Sequence, residues 1–566
     1  MKTTTSTKVA GGFARRLELL RQADRDGWLA QGKRGIEKES LRVTRDGLLA
    51  LGAHPTALGA ALTHPEITTD YSESLLEFIT PPVADPVAAV ATLHTLHAFV
   101  HRHIGDELLW DVSMPGHLPP DAQIPIAQYG TSNQGRFKHV YRRGLSLRYG
   151  RKMQCIAGIH YNFSLPEAIW PLLHESGSAD DRTHAAAPDD IQSAGYMALI
   201  RNYRRFSWLL LYLFGASPAL DRSFFADDAA AEAETTADDA ADNRAEESAA
   251  ARTAGSHGLQ SLGKDTLYLP HATSLRMSDL GYHNRTGNGG GRPDLGSLRA
   301  YLTGLADAIR TRHAPYEAIG THRDGEWVQL NANLLQIENE LYATIRPKRV
   351  GAPGQRVLEG LTQHGIQYVE VRCLDIDPFE PAGIGATTVR FLDAFLMMCV
   401  LEDSPADAGL QAEADANFLA VAKEGRQPGK MLACEGQAIA LQDWAQALLD
   451  RIDAAARLLD ESTRMTGDAA GHAAAAAAQR AKLADPSTLP SARALAAIVA
   501  SGGFAAFGLQ QSRSHAAHFL ATPLTAADEA RLLALRTESI VHQRETEAGD
   551  DLDFDAFMAR YAGAPE

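Results

Sequence analysis

The sequence of 566 residues has only four cysteines, which lie far apart at Cys155, Cys373, Cys399 and Cys434. They form neither a CxxC pair nor a cysteine–histidine spacing typical of zinc sites, so the sequence predicts no disulfide framework and no structural zinc. Reduced thiols are expected. Alternating apolar neighbours place Cys155 and Cys373 in strands, where a buried thiol is more often a small core side chain than a nucleophile.

Basic residues are in deficit. The chain has 54 Lys and Arg against 70 Asp and Glu, which gives a formal net charge of −16. Non-specific binding of nucleic acid needs surplus cations that displace counterions from the phosphates. The composition therefore predicts that nucleic acid is not a partner.

Long hydrophobic runs are also missing. The longest, FSWLLLYLFGA at 206–216, is too short to span a bilayer and predicts a buried helix. Lys2 and Lys8 near the amino terminus are not followed by the apolar run of a signal peptide. We expect a cytoplasmic protein that does not interact with a membrane.

The sequence has no GxxxxGK[ST] or GxGxxG phosphate-binding loop. Its one glycine-dense stretch, GNGGG at 287–291, lacks the lysine and the strand-to-helix context of such a loop. If a nucleotide binds, side chains and metal ions on a sheet must hold it.

Two segments have low complexity. Residues 226–248 are almost entirely Ala, Asp, Glu and Thr, and they predict a solvated, mobile insertion that we place within 226–260. The alanine-rich stretch 469–478 continues with helix-forming residues to position 484, and it predicts a surface helix or helical connector.

The pattern of apolar residues changes along the chain. The amino-terminal two thirds alternate strand-like runs with helices, whereas 390–401, 440–459 and 528–538 carry apolar residues at helical spacing. We therefore predict an α+β catalytic body over 1–402, with a mainly helical carboxy-terminal part, 403–566, packed on it.

The first stretch that carries chemistry is RGIEKESLRV at 34–43. If it is a strand, its period of two places Glu37 and Glu39 on one face that is otherwise apolar. Two such carboxylates repel each other unless a cation lies between them. The alternative is a solvated edge strand in which Lys38 and Arg42 neutralise the pair.

The second stretch is DYSESLLEFIT at 70–80, where Glu77 lies in the most apolar part. The pattern does not distinguish a helix from a strand over 75–80. On a helix, Asp70 and Glu77 would align, although Asp70 is also a typical helix-capping residue.

The third stretch, QCIAGIHYNFS at 154–164, alternates so that Gly158, His160 and Asn162 share a polar face with Gln154. A single histidine in a strand is most often structural, but these neighbours make His160 a candidate ligand.

The fourth stretch, QYVEVRCLDID at 367–377, puts Glu370 beside Arg372 on one face. This pair is either an internal ion pair or a metal-binding carboxylate next to a guanidinium that faces a phosphoryl oxygen. Residues 329–349 lie between the third and fourth stretches and are rich in amides, then acids, then cations. They suit either a polyphosphate with Mg²⁺ or a solvated charged loop.

These stretches contribute a carboxylate-rich set with one imidazole. Hard oxygen ligands select Mg²⁺, with Mn²⁺ as the alternative, rather than Zn²⁺. The predicted metal ligands are Glu37, Glu39, Asp70, Glu77, His160 and Glu370.

Eight motifs resemble, in this order, the proteobacterial type of glutamate–cysteine ligase. They are RGIEKESLRV, ALTHPEITTDYSESLLEFITPP, QYGTSNQGRFKHVYRRGL, CIAGIHYNFSLP, YLFGASPAL, ATSLRMSDLGY, LQIENELYATIRPKR and YVEVRCLDIDPF. The resemblance covers about 31–402 and continues less distinctly through EGRQPG at 424–429.

The resemblance implies a fold like the catalytic domain of glutamine synthetase, with a curved antiparallel sheet whose floor holds the metal ions. It implies that ATP phosphorylates the γ-carboxylate of L-glutamate and that the amine of L-cysteine then attacks, which is the first step of glutathione biosynthesis. It also raises the expectation of feedback inhibition by glutathione.

The resemblance assigns roles to individual positions. The metal positions of the family fall on the six residues named above, and its catalytic arginine falls on Arg372. Apart from the resemblance, the run of amides, acids and cations over 329–349 leads us to expect Asn339, Arg346 and Arg349 as nucleotide-binding residues. The expected cysteine pocket consists of Tyr71, Tyr141, Leu145, Gln154, Arg276, Tyr282 and Tyr342, where Tyr71 replaces the expected phenylalanine and Arg276 is placed to pair with a substrate carboxylate.

Overall fold

The computed structural model of the protein describes residues 5–176, 188–225, 255, 257–281, 294–351 and 355–563. The acidic segment 226–248 and the glycine-dense stretch 287–291 lie outside these ranges.

One antiparallel sheet dominates the described fold. In chain order the strands are β1 (Lys33–Val43), β2 (Ile67–Thr69), β3 (Leu75–Ile79), β4 (Leu108–Trp110), β5 (Ile159–Ser164), β6 (Ala219–Asp221), β7 (Gln260–Leu262), β8 (Thr266–Tyr268), β9 (His322–Arg323), β10 (Glu326–Trp327), β11 (Ile345–Lys348), β12 (Tyr368–Leu374), β13 (Met431–Cys434) and β14 (Gln437–Ala440). Seven of them form the main sheet in the order β11-β12-β5-β1-β3-β2, and β4 pairs with the carboxy-terminal end of β1.

Helices surround this sheet. In chain order they are α1 (Thr5–Ala23), α2 (Pro86–His103), α3 (Asn133–Tyr149), α4 (Ile169–Ser176), α5 (Pro188–Phe206), α6 (Trp208–Phe214), α7 (Leu298–Arg310), α8 (Ala314–Ile319), α9 (Val357–His364), α10 (Ala386–Leu401), α11 (Ala408–Glu424), α12 (Leu441–Thr466), α13 (His472–Ala484), α14 (Pro490–Ala500), α15 (Phe504–Ala521), α16 (Ala526–Ala548) and α17 (Phe554–Gly563). The α+β class predicted from the sequence is confirmed.

The strand predictions hold for the first and fourth chemical stretches and for the second half of the third, and the second stretch, which the pattern left open, contains a strand. β1 covers 34–43, β12 covers most of 367–377, and the ambiguous segment 75–80 is strand β3. The prediction for 154–158 is wrong, since Met153–Cys155 is a short 3-10 helix and β5 begins at Ile159.

The reason for this difference lies in the preceding turn. One carboxylate oxygen of Asp121 accepts hydrogen bonds from the backbone N–H groups of Arg151 and Lys152 at 2.6 and 3.0 Å. These bonds hold the chain in a turn, so Cys155 lies in a helical turn and not in a strand. Its side chain is nevertheless buried, as is that of Cys373 in β12.

The helix predictions also hold. The apolar run at 206–216 contains α6, in which every residue is buried, and 390–401, 440–459 and 528–538 fall almost entirely within α10, α12 and α16. The alanine-rich helix begins at His472, because the Asp460 carboxylate accepts the N–H groups of Gly471, His472 and Ala473 and so caps the helix there.

Strand β1 has two chemically different faces. Lys38 projects from the face of β1 that does not carry Glu37 and Glu39. It is fully buried, and its ammonium group lies 3.2 Å from both Asp111 and His97. Arg42 is likewise buried behind the strand. The alternative in which these two cations neutralise the paired acids is therefore wrong.

A buried polar network joins the sheet to the carboxy-terminal helices. The carboxylate of Asp393 on α10 forms an ion pair with the guanidinium of Arg34 at 2.7 Å and accepts a hydrogen bond from the hydroxyl of Tyr161. The imidazole of His472 lies 3.5 Å from the same carboxylate. His472 also contacts Asp460 at 3.0 Å. Because the desolvation of Asp393 is matched by these partners, they hold its pKa below the usual range despite burial.

The carboxy-terminal helices pack directly on this network. α10 contacts α5, α12 and α13, and its residues from Phe391 to Cys399 are almost fully buried. The boundary between a body ending at 402 and a helical part from 403 stays a prediction.

Within the described ranges, no single helix is both long and apolar enough to cross a bilayer. The pair α14 and α15, bent by 107° relative to each other, meets the length and composition criteria only when the two helices are taken together.

We predict that Asp393→Asn lowers the free energy of unfolding by about 3–5 kcal/mol, because it leaves Arg34 buried without its counter-charge. Urea denaturation followed by circular dichroism measures this loss. Asp453→Asn is the control, since Asp453 pairs with the exposed Arg457 on α12 and should cost no more than about 0.5 kcal/mol. A loss for Asp393→Asn as small as that of the control would contradict the prediction.

Candidate active site

The predicted metal ligands converge on one face of the main sheet. In the strand register, Glu37 lies opposite His160, Glu39 opposite Glu77, and Glu370 opposite Asn162. Directly opposed residues of antiparallel strands project to the same side. Four neighbouring strands, β12, β5, β1 and β3, therefore present these side chains together.

Glu37, His160 and Glu370 form the tightest group. Each offers a ligand atom, and these atoms all lie within 4.8 Å of one another. Nδ1 of His160 is 3.1 Å from one oxygen of Glu37, and the amide of Asn162 donates to the other at 2.8 Å. Burial raises the pKa of Glu37, but the hydrogen bond with His160, together with the charges of His160 and Lys348, more than offsets it and the net pKa is lowered.

Glu39 and Glu77 form the second half of the acidic face. The backbone N–H of Gly158 donates to a Glu39 oxygen at 2.7 Å. Burial raises the pKa of Glu39, and Asp70 raises it further. Burial, followed by the charges of Asp70, Glu37 and Glu39, raises the pKa of Glu77 well above its usual range. This end of the site accordingly has more acid than the neighbouring cations offset.

Cations collect at the opposite end. Arg372 lies 3.1 Å from Glu370 and 3.5 Å from His160, and Lys348 lies 3.4 Å from Glu370. Burial opposes ionisation of Glu370, but Arg372 and Lys348 hold its pKa well below the usual range. Burial lowers the pKa of the Arg372 guanidinium, but the charges of Glu370, Glu39 and Glu37 together more than offset it and raise that pKa.

A cavity of about 150 Å³ opens beside this face. Sheet residues form its floor, α3 forms one wall, and the segment before β11 forms another. The lining residues are Glu39, Asp70, Tyr71, Tyr141, Arg142, Leu145, Met153, Gln154, Ile156, His160, Arg276, Met277, Asn339, Glu340, Tyr342, Arg346 and Arg372.

Arg276 reaches the cavity across the sheet edge. Its guanidinium donates to the carbonyl oxygens of Arg372 at 3.0 Å and Leu374 at 3.2 Å, and it lies 3.7 Å from the carboxylate of Asp375. A Cβ atom at position 158 would overlap this guanidinium, so Gly158 is required for the close approach.

Most of the predicted site residues meet at this cavity. Glu37, Glu77 and Glu370 do not line it but adjoin it through His160 and Glu39. The predicted residues that line the cavity are Glu39, Asp70, Tyr71, Tyr141, Leu145, Gln154, His160, Arg276, Asn339, Tyr342, Arg346 and Arg372.

Two predicted site residues are not found at the cavity. Arg349 follows the end of β11, and its guanidinium donates to the backbone carbonyls of His364 and Gly365 at the carboxy-terminal end of α9. Tyr282 lies outside the described residues.

The structure adds residues that the sequence reasoning missed. Strand parity had already placed Asn162 on the polar face with His160, and the same parity with Arg346 could have identified Lys348. Arg142, Met277 and Glu340 line the cavity from a helix and loops, where no comparable pattern is visible in the sequence.

The donor set fits a hard divalent cation. It consists of carboxylate oxygens with a single imidazole and no thiolate among the described residues. Burial, and then the charges of neighbouring acids, raises the pKa values of Glu39 and Glu77, so a bound cation would offset part of this cost.

Comparison with known proteins places this geometry in a family. The sequence profile of the glutamate–cysteine ligase family matches residues 17–255 and 245–421. The glutamate–cysteine ligase of Janthinobacterium sp. (strain Marseille) is 51% identical over 553 residues, which is 97% of each chain. The chain belongs to the glutamate–cysteine ligase family.

Further members show the same near-complete overlap. The glutamate–cysteine ligase of Pseudomonas aeruginosa (strain LESB58) is 51% identical over 550 residues, again 97% of each chain. A crystal structure of the Francisella tularensis family member in complex with AMP is 35% identical and superimposes with a TM-score of 0.81, over 94% of this chain and 97% of that one.

We predict that Mg²⁺ or Mn²⁺ raises the melting temperature of the protein, because a cation relieves the repulsion among the buried acids. Glu37→Gln and His160→Ala should lose most of this increase. Glu326→Gln, at an exposed carboxylate on β10, is the control and should retain it. Differential scanning fluorimetry with a metal titration after treatment with EDTA makes the measurement. Equal increases in all four proteins would contradict this assignment.

Proposed function

We propose that this protein joins the γ-carboxylate of L-glutamate to the amine of L-cysteine at the expense of ATP, forming γ-glutamylcysteine, ADP and phosphate. The observation that carries the proposal is that five carboxylates, His160 and Arg372 come together in or directly beside one cavity, in a chain of this family. Inhibition by glutathione and a cytoplasmic location are part of the same proposal.

Mg²⁺ is the proposed cofactor, with Mn²⁺ as a substitute. Glu37, His160 and Glu370 would hold one ion, and Glu39, Asp70 and Glu77 offer the ligands for further ions. When bound, the metal ions neutralise the phosphate charges of ATP and orient them for transfer.

The first chemical step is phosphoryl transfer. A γ-carboxylate oxygen of glutamate attacks the γ-phosphorus of ATP, the bond to the bridging oxygen breaks, and ADP leaves with γ-glutamyl phosphate formed. Arg372 lines the cavity and carries a positive charge held by Glu370, so it is placed to stabilise the charge on the moving phosphoryl group.

The second step is aminolysis. The cysteine nitrogen attacks the acyl carbon, loses a proton, and expels phosphate. Water must be excluded, because hydrolysis would waste the acyl phosphate. Leu145, Met153, Ile156 and Met277 supply apolar surface to the cavity, and Arg276 is the candidate partner of the substrate carboxylate.

A second candidate function keeps the fold and the metal ions but uses another amine. Tyr71 supports it, since it lines the cavity with its side chain almost fully buried and adds a hydroxyl where the family motif leads us to expect phenylalanine. Burial raises the pKa of this phenol, so it stays neutral and can only alter hydrogen bonding and shape.

Release of ADP tests the proposed function directly. We predict turnover only when ATP, Mg²⁺, glutamate and cysteine are all present, measured by a coupled assay with each component left out in turn. Turnover that does not depend on cysteine would overturn the proposal.

Arg372→Ala should lower kcat by about 10²- to 10³-fold because transition-state charge is no longer stabilised. The folded state should persist, and the exposed Arg457→Ala serves as the control.

We predict that Tyr71→Phe alters kcat/KM for cysteine relative to other small amines while leaving the KM for ATP within about twofold. The reason is that the substitution removes one hydroxyl from the acceptor pocket and leaves unchanged the metal face, which is the face of the main sheet that carries Glu37, His160 and Glu370. Competition between cysteine and a panel of amines, analysed by mass spectrometry of the products, gives the ratio. An unchanged ratio would show that the hydroxyl has no part in acceptor choice.

A further inference from the structure

The last described helix, α17, does not join the main core. Phe554 and Met558 are 2% and 5% exposed, and they pack with Val140 and Leu330 in a small apolar cluster of their own. Phe137, Trp327, Ile337 and Phe557 surround that cluster. We call this group the α17 cluster.

The α17 cluster joins two walls of the cavity from behind. Val140 belongs to α3, whose residues Tyr141, Arg142 and Leu145 line the cavity. Leu330 begins the segment that supplies Asn339, Glu340 and Tyr342 to the opposite wall. Phe554 and Met558 thus share one apolar cluster with residues of both walls.

Specific polar contacts fix the position of α17. The indole N–H of Trp327 donates to Asp555 at 2.7 Å, and the guanidinium of Arg136 lies 4.3 Å from the centre of the Phe554 ring. The backbone N–H of Asn133 donates to Asp550 at 2.6 Å, so an acid from the same terminal segment holds the first turn of α3.

On the cavity side, the two walls meet through buried polar groups. Gln336 donates to the carbonyl of Tyr141 at 3.2 Å, and its backbone N–H donates to Glu340 at 2.6 Å. Arg148 on α3 forms a fully buried ion pair with Glu340 at 3.0 Å. These bonds are directional and require the two walls to keep a fixed spacing.

We propose that α17 is a positioning element that sets the spacing of the two cavity walls, with Phe554 and Met558 as the positioning residues. They do not line the cavity, and they act through Tyr141, Asn339 and Glu340. The inference rests on the proposed function. It predicts that weakening the α17 cluster impairs substrate binding, whereas the metal face on the sheet is unaffected.

The test compares Phe554→Ala with Phe504→Ala. Phe504 on α15 is also 2% exposed, but it belongs to the main core beside Trp110. We expect Phe554→Ala to raise the KM for cysteine by about fivefold or more with kcat within about twofold, and Phe554→Leu to restore the KM. Phe504→Ala should lower the melting temperature but leave the KM within about twofold. All assays are run where circular dichroism shows each protein folded.

A second readout does not need turnover. Isothermal titration calorimetry with the non-hydrolysed analogue AMPPNP and Mg²⁺ should give about a fivefold higher Kd for Phe554→Ala, and a chain ending at Gly549 should behave in the same way. Unchanged KM and Kd in Phe554→Ala, or equal increases in Phe504→Ala, would overturn the inference. An inactive wild-type protein would overturn the proposed function instead, and the Kd comparison would still decide the role of α17.

Discussion

Repulsion among acids on one face of the sheet is the constraint on which the rest of the structure depends. Two unit charges 4 Å apart repel by about 4 kcal/mol at an effective dielectric constant of 20. Glu37, Glu39, Asp70, Glu77 and Glu370 share one small region. Burial is the main cause of the raised pKa of Glu77, and the charges of Asp70, Glu37 and Glu39 raise it further. A flexible loop would separate these side chains, whereas four hydrogen-bonded strands hold the four glutamates together, and the backbone N–H of Asp70 donates to the carbonyl of Leu75 beside them.

The surroundings compensate for this cost unequally. Arg372 and Lys348 offset Glu370 at one end, so that end is nearly neutral within the protein alone. At the other end, the described contacts include no cationic side chain within hydrogen-bonding distance of Glu39 or Glu77. The site is therefore asymmetric: cations contact the acid at one end, whereas the acids at the other end are only partly compensated, by cations such as Arg372 that do not contact them directly.

How much could be predicted from the sequence depended on local periodicity. A period of two placed Glu37, Glu39, Glu370 and Arg372 on the correct faces, because side chains in a strand alternate regardless of the partner strands. The same reasoning was wrong for 154–158, where the carboxylate of the distant Asp121 holds a turn.

Local periodicity could not predict contacts between segments that are distant in the sequence. Arg349 continues the same basic run as Arg346 but turns to carbonyl groups at the carboxy-terminal end of α9, since it follows the last residue of β11. Arg142 reaches the cavity from a helix whose position is set by tertiary packing. The resemblance to a known family identified the cavity residues, whereas periodicity alone identified only those on strands.

The buried Lys38 has a consequence for how the chain finds its native pairing. Along β1 the charges alternate as acid, base and acid, so the two faces of this strand carry opposite sign. A slip of one residue would bury both carboxylates against Asp111 and turn the ammonium group toward the ligand side. The alternating charges therefore favour the same strand register as the apolar pattern does, and a sheet paired in the wrong register is destabilised before any metal ion binds.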